Sequence, residues 1–259
     1  MSSTLPSTAI LSALAQEQHS LLALLQQPQQ VSHAGRTFWQ GYLQGQPVVL
    51  ALSRIGKVAA ATTATALIER FGVQRIVFTG VAGGLGAGVK VGDVVVATDF
   101  LQHDLDVSPL FPRYEVPLYG QARFAGDAAL TALLFTAACG ALGHGHAHEH
   151  LQGSLARQPF PGACVHQGLI ASGDRFVSGA GESRMLQAAL ALAGHEVLAV
   201  EMECAAVAQV CLDYGVPFAA VRTISDRADD SAHVDFSGFV EQVASRYAQA
   251  IVQRFLLLL

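Results

Sequence analysis

The stretch VAAATTATALIERFGVQRIVFTGVAGG, Val58 to Gly84, reads as one α/β unit. Val58 to Phe71 is an alanine-rich helical pattern. Gly72 stands where glycine ends helices, because it takes the left-handed backbone there at little steric cost. Arg75 to Thr79 is predicted to be a buried strand. Gly80, Gly83 and Gly84 then mark a predicted glycine-rich turn. A continuously apolar strand fed by a helix belongs to a parallel sheet whose two faces are both covered.

The same alternation runs outward in both directions. Upstream, Ala9 to Leu11 reads as a first strand. Thr37 to Leu43 and Val48 to Leu52 flank the turn Gln44-Gly45-Gln46-Pro47, which suggests an antiparallel pair. Downstream, strands are predicted at Asp93 to Thr98, Gly168 to Ser172, Val197 to Val200 and Phe218 to Ile224. Helices are predicted at Ala125 to Leu142, about Gly181 to Leu192, Cys204 to Tyr214 and Phe239 to Leu258. The expected fold is α/β, three layers α/β/α around a mixed, largely parallel sheet. Residues 1–259 could hold one large α/β domain or two small ones, with a loop insertion at about 140–165. That insertion holds Gly-His-Gly-His-Ala-His-Glu-His at 143–150. Four close histidines could bind a transition metal, but the alternation lacks the spacing of a structural or catalytic zinc site. A solvated loop is the expectation.

Composition narrows the function class. The 259 residues are 51% apolar and 14% charged, with a formal net charge of −5. Such a chain builds a sizeable core and can hide further apolar surface between subunits. Nucleic-acid binding needs clustered Lys and Arg, and the sequence has no such cluster. The four cysteines have no C-x-x-C spacing, and three sit in apolar surroundings that suit reduced thiols. No basic region leads into an apolar core at the N-terminus. The apolar run Ala128 to Leu142 falls short of the roughly 20 residues of a membrane span. A cytoplasmic location without membrane contact is expected.

Ligands of open α/β sheets collect at the carboxyl ends of strands. Four glycine-rich or polar segments follow predicted strand ends: Thr79 to Gly84, Ser172 to Val177, Glu201 to Glu203, and Ser225 to Asp229. The glycines allow close backbone approach and leave amides free, although the pattern matches neither G-x-G-x-x-G nor a phosphate loop. Asp226 follows a buried strand, where a carboxyl can be held partly protonated and donate to a leaving group. Glu203 precedes a helix and can accept hydrogen bonds from vicinal sugar hydroxyls. Capping of a helix N-terminus is the competing reading for either residue. Glu17 follows the first strand and, taken alone, reads as a surface helix residue.

Several motifs now occur in one order. They are Ser53-Arg54-Ile55-Gly56-Lys57-Val58, Thr79-Gly80-Val81-Ala82-Gly83-Gly84, Val91-Gly92-Asp93-Val94-Val95 and His103-Asp104-Leu105-Asp106-Val107. Ser172-Gly173-Asp174, Val200-Glu201-Met202-Glu203 and Ile224-Ser225-Asp226 complete the set. Over nearly its whole length the chain resembles the 5′-methylthioadenosine/S-adenosylhomocysteine nucleosidases, within the purine nucleoside phosphorylase superfamily. The resemblance implies hydrolysis of a purine nucleoside, with release of adenine and a 5′-thio-substituted ribose. It implies that Asp226 protonates the adenine ring and that Glu17 activates the water. Around Glu17 the chain carries Ala15 and Gln16 in place of the family's usual glutamates. It also implies that Glu203 and Met202 grip the ribose, and that Phe176 and the Val177 backbone clamp the purine. Ile55, Leu14 and Phe236 correspond to the apolar wall around the 5′ group. Ala82, Gly83 and Ser225 complete the substrate-binding set. Val107, with Leu110, corresponds to residues that a homodimer partner contributes to the neighbouring pocket. No cofactor and no metal are implied.

Three rivals remain at this point. A phosphorylase would need arginine around its phosphate, and Arg54, where the family commonly has glycine, is its best support. Futalosine-type nucleosides or AMP would share the catalytic residues, though AMP calls for a cationic 5′ pocket. A non-catalytic nucleoside-binding protein would be expected to lack Asp226 or Glu17.

Overall fold

A computed structural model of the chain describes residues 7–143, 160, 162–228 and 239–259. The histidine run at 144–150, most of the surrounding insertion, and Phe236 lie outside the described residues.

The unit at 58–84 has the expected order. Helix α2 (Lys57–Phe71) ends at Gly72, whose φ is +61° and whose amide returns to the Ile68 carbonyl. Strand β5 follows, but it runs from Arg75 to Gly84 and takes in the glycines expected to form a turn. The reason lies in its neighbours. Up to Phe78, β5 lies between β1 (Thr8–Ser12) and β10 (Phe218–Asp226), parallel to both. At Gly83 and Gly84 it pairs antiparallel with β9 (Val197–Glu201). The backbone at its end is therefore hydrogen-bonded as strand rather than released into a loop.

Two further strands close the circuit. Strand β10 pairs with β6 (Val94–Gln102), β6 with β8 (Val165–Ser172), and β8 with β9, which returns to β5. On the other side a wing fans out through β1, β4 (Gln46–Leu52), β3 (Arg36–Leu43) and β2 (Gln26–His33). The β3–β4 hairpin has the expected antiparallel register. The edge strand β2 had no apolar alternation to announce it. A short strand β7 (Arg123–Ala125) pairs with β6 where the expected helix 125–142 was to begin. Helix α3 (Ala128–Ala141) instead starts after Asp127, whose carboxylate accepts the Leu130 amide at 2.8 Å.

Alternate residues of the central strands face opposite layers. Ile76 and Phe78 pack with α2 and α5 (Cys204–Tyr214) on one face. Val77, Val94, Val96 and Val221 pack on the other with α1 (Ala15–Ala23), α3 and α6 (Ser245–Leu258). A π-helical turn at Val240–Ala244 precedes α6. A smaller core lies under α4 (Ala180–Leu192), around Leu101, Leu169 and Leu190. All four cysteines are free, and Cys204 and Cys211 are buried in α5. Among the described residues no helix is long and apolar enough to cross a membrane.

The exchange of β1 for β9 beside β5 positions the site. The wing and the closed circuit part company there, so a crevice opens at the carboxyl ends of β1, β5, β9 and β10. Crevices of this kind, where strand order divides, are where α/β sheets hold ligands.

Candidate active site

Glu17 occupies the first turn of α1 and is buried, not exposed as a lone helix glutamate would be. Its Oε2 accepts the Ala13 and Leu14 amides, both at 2.9 Å, and its Oε1 accepts the Val81 amide of β5 at 3.0 Å. Burial pushes its carboxyl above the ordinary range, against the pull of the Arg222 charge and the three N–H bonds. Gly80 makes this approach possible. A Cβ there would stand 2.9 Å from Glu17 Oε1 and 2.2 Å from Arg222 Nη1.

Arg222 is fully buried in β10, with its guanidinium 4.3 Å over the Phe78 ring. It donates to Glu201 and, at 3.4 Å, to Glu203. Glu201 ends β9 and takes the amides of Glu203 and Cys204, each at 3.0 Å, together with the Ser172 hydroxyl. The N-terminus of α5 is thus satisfied by Glu201, which removes the competing reading of Glu203 as a helix cap. Burial alone would raise the Glu201 carboxyl, but Arg222 and these donors hold it below the usual range.

Glu203 is left to face the cavity. Its Oε1 accepts the Gly56 amide at 3.0 Å. Burial, with the negative Glu201 beside it, pushes its pKa up to about 8. Asp226 ends β10, opposite Gly83 in register. Its Oδ1 accepts the Ala228 amide at 2.7 Å, and its Oδ2 accepts the Ser225 hydroxyl at 2.8 Å. A Cβ on Gly83 would come within 3.0 Å of Oδ1. The carboxylates of Glu17 and Asp226 therefore meet β5 three residues apart, at Gly80 and Gly83, a rise of about 10 Å along a strand.

These groups share one cavity of about 320 Å³. Its lining brings together Glu17, Glu203 and Asp226 with Leu14, Ile55, Ala82, Gly83, Phe176, Val177, Met202 and Ser225. Phe176, a lining residue, is 42% exposed, while Val177 beside it is buried. Val107 lies elsewhere, half-buried on the loop after β6, and takes no part in this wall. Arg54 turns away from the cavity and donates to the Gly35 carbonyl of the β2–β3 hairpin. Three charged residues of the wall, Arg175, Glu201 and Arg222, were not singled out from the sequence. The signal was there in part, since an arginine inside the apolar run Phe218 to Ile224 requires a buried partner. Arg175 is paired with Glu182 at 2.9 Å.

Comparison with known proteins gives a consistent picture. The family model of the phosphorylase superfamily matches residues 7–257. A 5′-methylthioadenosine/S-adenosylhomocysteine nucleosidase of Bacillus thuringiensis is 37% identical over 250 residues, covering 95% of this chain and 96% of the relative. The crystal structure of the Neisseria meningitidis nucleosidase of the same name, in complex with methylthio-immucillin-A, is similar with a TM-score of 0.84 and 36% identity. That similarity covers 98% of this chain and 100% of the other. The futalosine hydrolase of Helicobacter pylori is similar with a TM-score of 0.82 and 30% identity, covering 98% of this chain and 99% of the other.

Proposed function

The chain belongs to the phosphorylase superfamily and, within it, to the 5′-methylthioadenosine/S-adenosylhomocysteine nucleosidases, and from that premise we propose how its residues carry the reaction. The protein hydrolyses the N-glycosidic bond of 5′-methylthioadenosine and S-adenosylhomocysteine, releasing adenine and the 5′-thio-substituted ribose. Cleaving that C–N bond leaves positive charge on the ribose and negative charge on the departing base. Asp226 supplies a proton to the purine ring, and Glu17 takes one from the attacking water. The observation that carries this reading is that the two carboxyls line one cavity and approach β5 three residues apart, at Gly83 and Gly80. Such a gap leaves room for sugar and water between acid and base, as in inverting glycoside hydrolysis.

The remaining contacts follow the substrate. Glu203 grips the ribose hydroxyls, with Met202 beside it, and two hydroxyl donors arriving there favour its ionised form. Phe176 stacks on the purine, and the Val177 backbone reads its edge. Ala82, Gly83 and Ser225 line the base side. Leu14 and Ile55, with Phe236, hold the apolar 5′ substituent. Water is favoured over phosphate as the nucleophile because Arg222 is committed to Glu201 and Glu203, and Arg54 to Gly35.

The chain is read as a single catalytic domain, 1–259, interrupted by the histidine-rich insertion. A homodimer is the proposed assembly, in which Val107 and Leu110 serve the partner's pocket. Supporting it, Leu110 and Val58 are each 79% exposed and Leu118 95%, a costly display for a monomer. A cytoplasmic location goes with the four free cysteines.

The substitution Asp226→Asn tests the acid. Asparagine keeps an oxygen for the Ala228 amide, so the loop should stay in place. Turnover should fall by about 10²–10⁴, while calorimetric binding of 5′-methylthioadenosine survives. Near-parental rates in this variant would remove Asp226 from the mechanism.

A further inference from the structure

Lys57, Asp104 and Asp174 form a polar cluster beside the cavity that none of the steps above uses. Lys57 opens α2, Asp104 follows β6, and Asp174 follows β8. Lys57 Nζ lies 2.5 Å from Asp104 and 3.9 Å from Asp174, and it donates to Gln102 at 3.1 Å. The Asp174 amide donates to Asp104 Oδ2 at 2.8 Å. Asp174 Oδ1 in turn accepts the Lys57 amide at 2.7 Å. Three segments distant in sequence are thereby tied at one lysine whose side chain is only 15% exposed.

The arrangement answers a need of α2. The first amides of a helix have no partner within it, and a Ser, Thr, Asp or Asn at the cap usually supplies one. Here the cap is Gly56, which has no side chain. Its amide goes to Glu203 Oε1, and the next amide, of Lys57, goes to Asp174 Oδ1. One helix end thus joins the carboxylate assigned to the ribose with the segment that leads, one residue later, to Arg175-Phe176-Val177. Gly56 has a φ of +95°, and a Cβ there would lie 3.1 Å from Asp174 Oδ1, so the contact is close as well as polar.

We propose that Asp174, held by Lys57 and Asp104, is a positioning residue that fixes the Gly56 amide against Glu203 and sets the gap between the sugar grip and the purine clamp. This rests on the roles given to Glu203 and Phe176 above. Because the latch shapes the site before and during reaction alike, its loss weakens binding more than it slows the bound substrate.

The experiment compares Asp174→Ala with Asp174→Asn. It reads kcat and KM for adenine release from 5′-methylthioadenosine, and amide hydrogen exchange at Gly56 and Lys57. In the alanine variant KM should rise about five- to tenfold, the size of a lost helix cap, with kcat within about twofold. Exchange at both amides should quicken. Asparagine, which restores an acceptor oxygen, should recover most of the loss in both readouts. Parental KM and parental exchange in the alanine variant would overturn the proposal, as would a loss of kcat with KM unchanged. If that variant does not fold, Asp104→Ala removes the acceptor of the Asp174 amide and should shift KM and exchange in the same direction. A parent protein without nucleosidase activity would overturn the proposed function, and the exchange comparison would still decide the latch.

Discussion

Adding one methyl group at Gly80 should disable the site without replacing any charged residue. The new Cβ would stand 2.2 Å from Arg222 Nη1 and 2.9 Å from Glu17 Oε1, against the 3.4 Å at which ordinary contact begins. The guanidinium must retreat by about 1.2 Å, the difference between 2.2 and 3.4 Å, and the carboxylate by about 0.5 Å, that between 2.9 and 3.4 Å. Neither has slack. Arg222 is bound to Glu201 and Glu203 and lies over Phe78, and Glu17 is fixed by three amides. Overpacking of this kind costs about 1–3 kcal/mol of stability. At roughly 2–4 °C per kcal/mol for a chain of this size, the melting temperature should fall visibly. The carboxylate assigned as the base moves by about half of the roughly 1 Å that costs on the order of 10²-fold in rate, so kcat/KM should fall about tenfold. The assay is kcat/KM for adenine release, with melting curves on the same samples. Gly181→Ala is the control, since a Cβ on that α4 residue meets nothing within 4 Å. A folded Gly80→Ala protein with kcat/KM within about threefold of the parent would refute the packing argument.

The other tests are shorter. Glu17→Gln should lower kcat by about 10²–10⁴ and leave KM close to parental, because an amide oxygen still accepts the Ala13 and Leu14 amides; parental kcat would remove Glu17 as the base. Glu203 should give stability a pH dependence. Its carboxyl titrates at 4.5 when unfolded and at about 8 when folded. Between those values the folded state holds a proton that the unfolded state has released, so the stabilisation is full below about pH 4.5 and is lost as pH rises through 8. Melting temperatures of the parent relative to Glu203→Gln should therefore decline from pH 5 to 8, and parallel profiles would contradict the raised pKa. Sedimentation should find a homodimer, and a fully active monomer would end the shared-pocket assignment of Val107.

Much of this was legible in the sequence because strand ends are marked chemically. Asp226 comes right after an apolar strand, Glu203 stands just before a helix, Phe176 lies in a polar segment past a strand end, and Ile55 stands in a short motif whose order with the others identifies the family. What could not be read depends on contacts between distant segments. The continuation of β5 through Gly84 is decided by pairing with Val200 and Ala199, more than a hundred residues away. The burial of Glu17 depends on Gly80 lacking a side chain, and the capping of α5 by Glu201 on Ser172 and Arg222. The edge strand β2, Gln-rich and exposed, has no pattern of its own and forms because β3 offers it a partner.

The most direct measurement is adenine release from 5′-methylthioadenosine by the purified protein, with and without phosphate. The account predicts release at the same rate in both, with free 5-methylthioribose as the second product. Release that requires phosphate and yields a ribose 1-phosphate would contradict it and make the protein a phosphorylase.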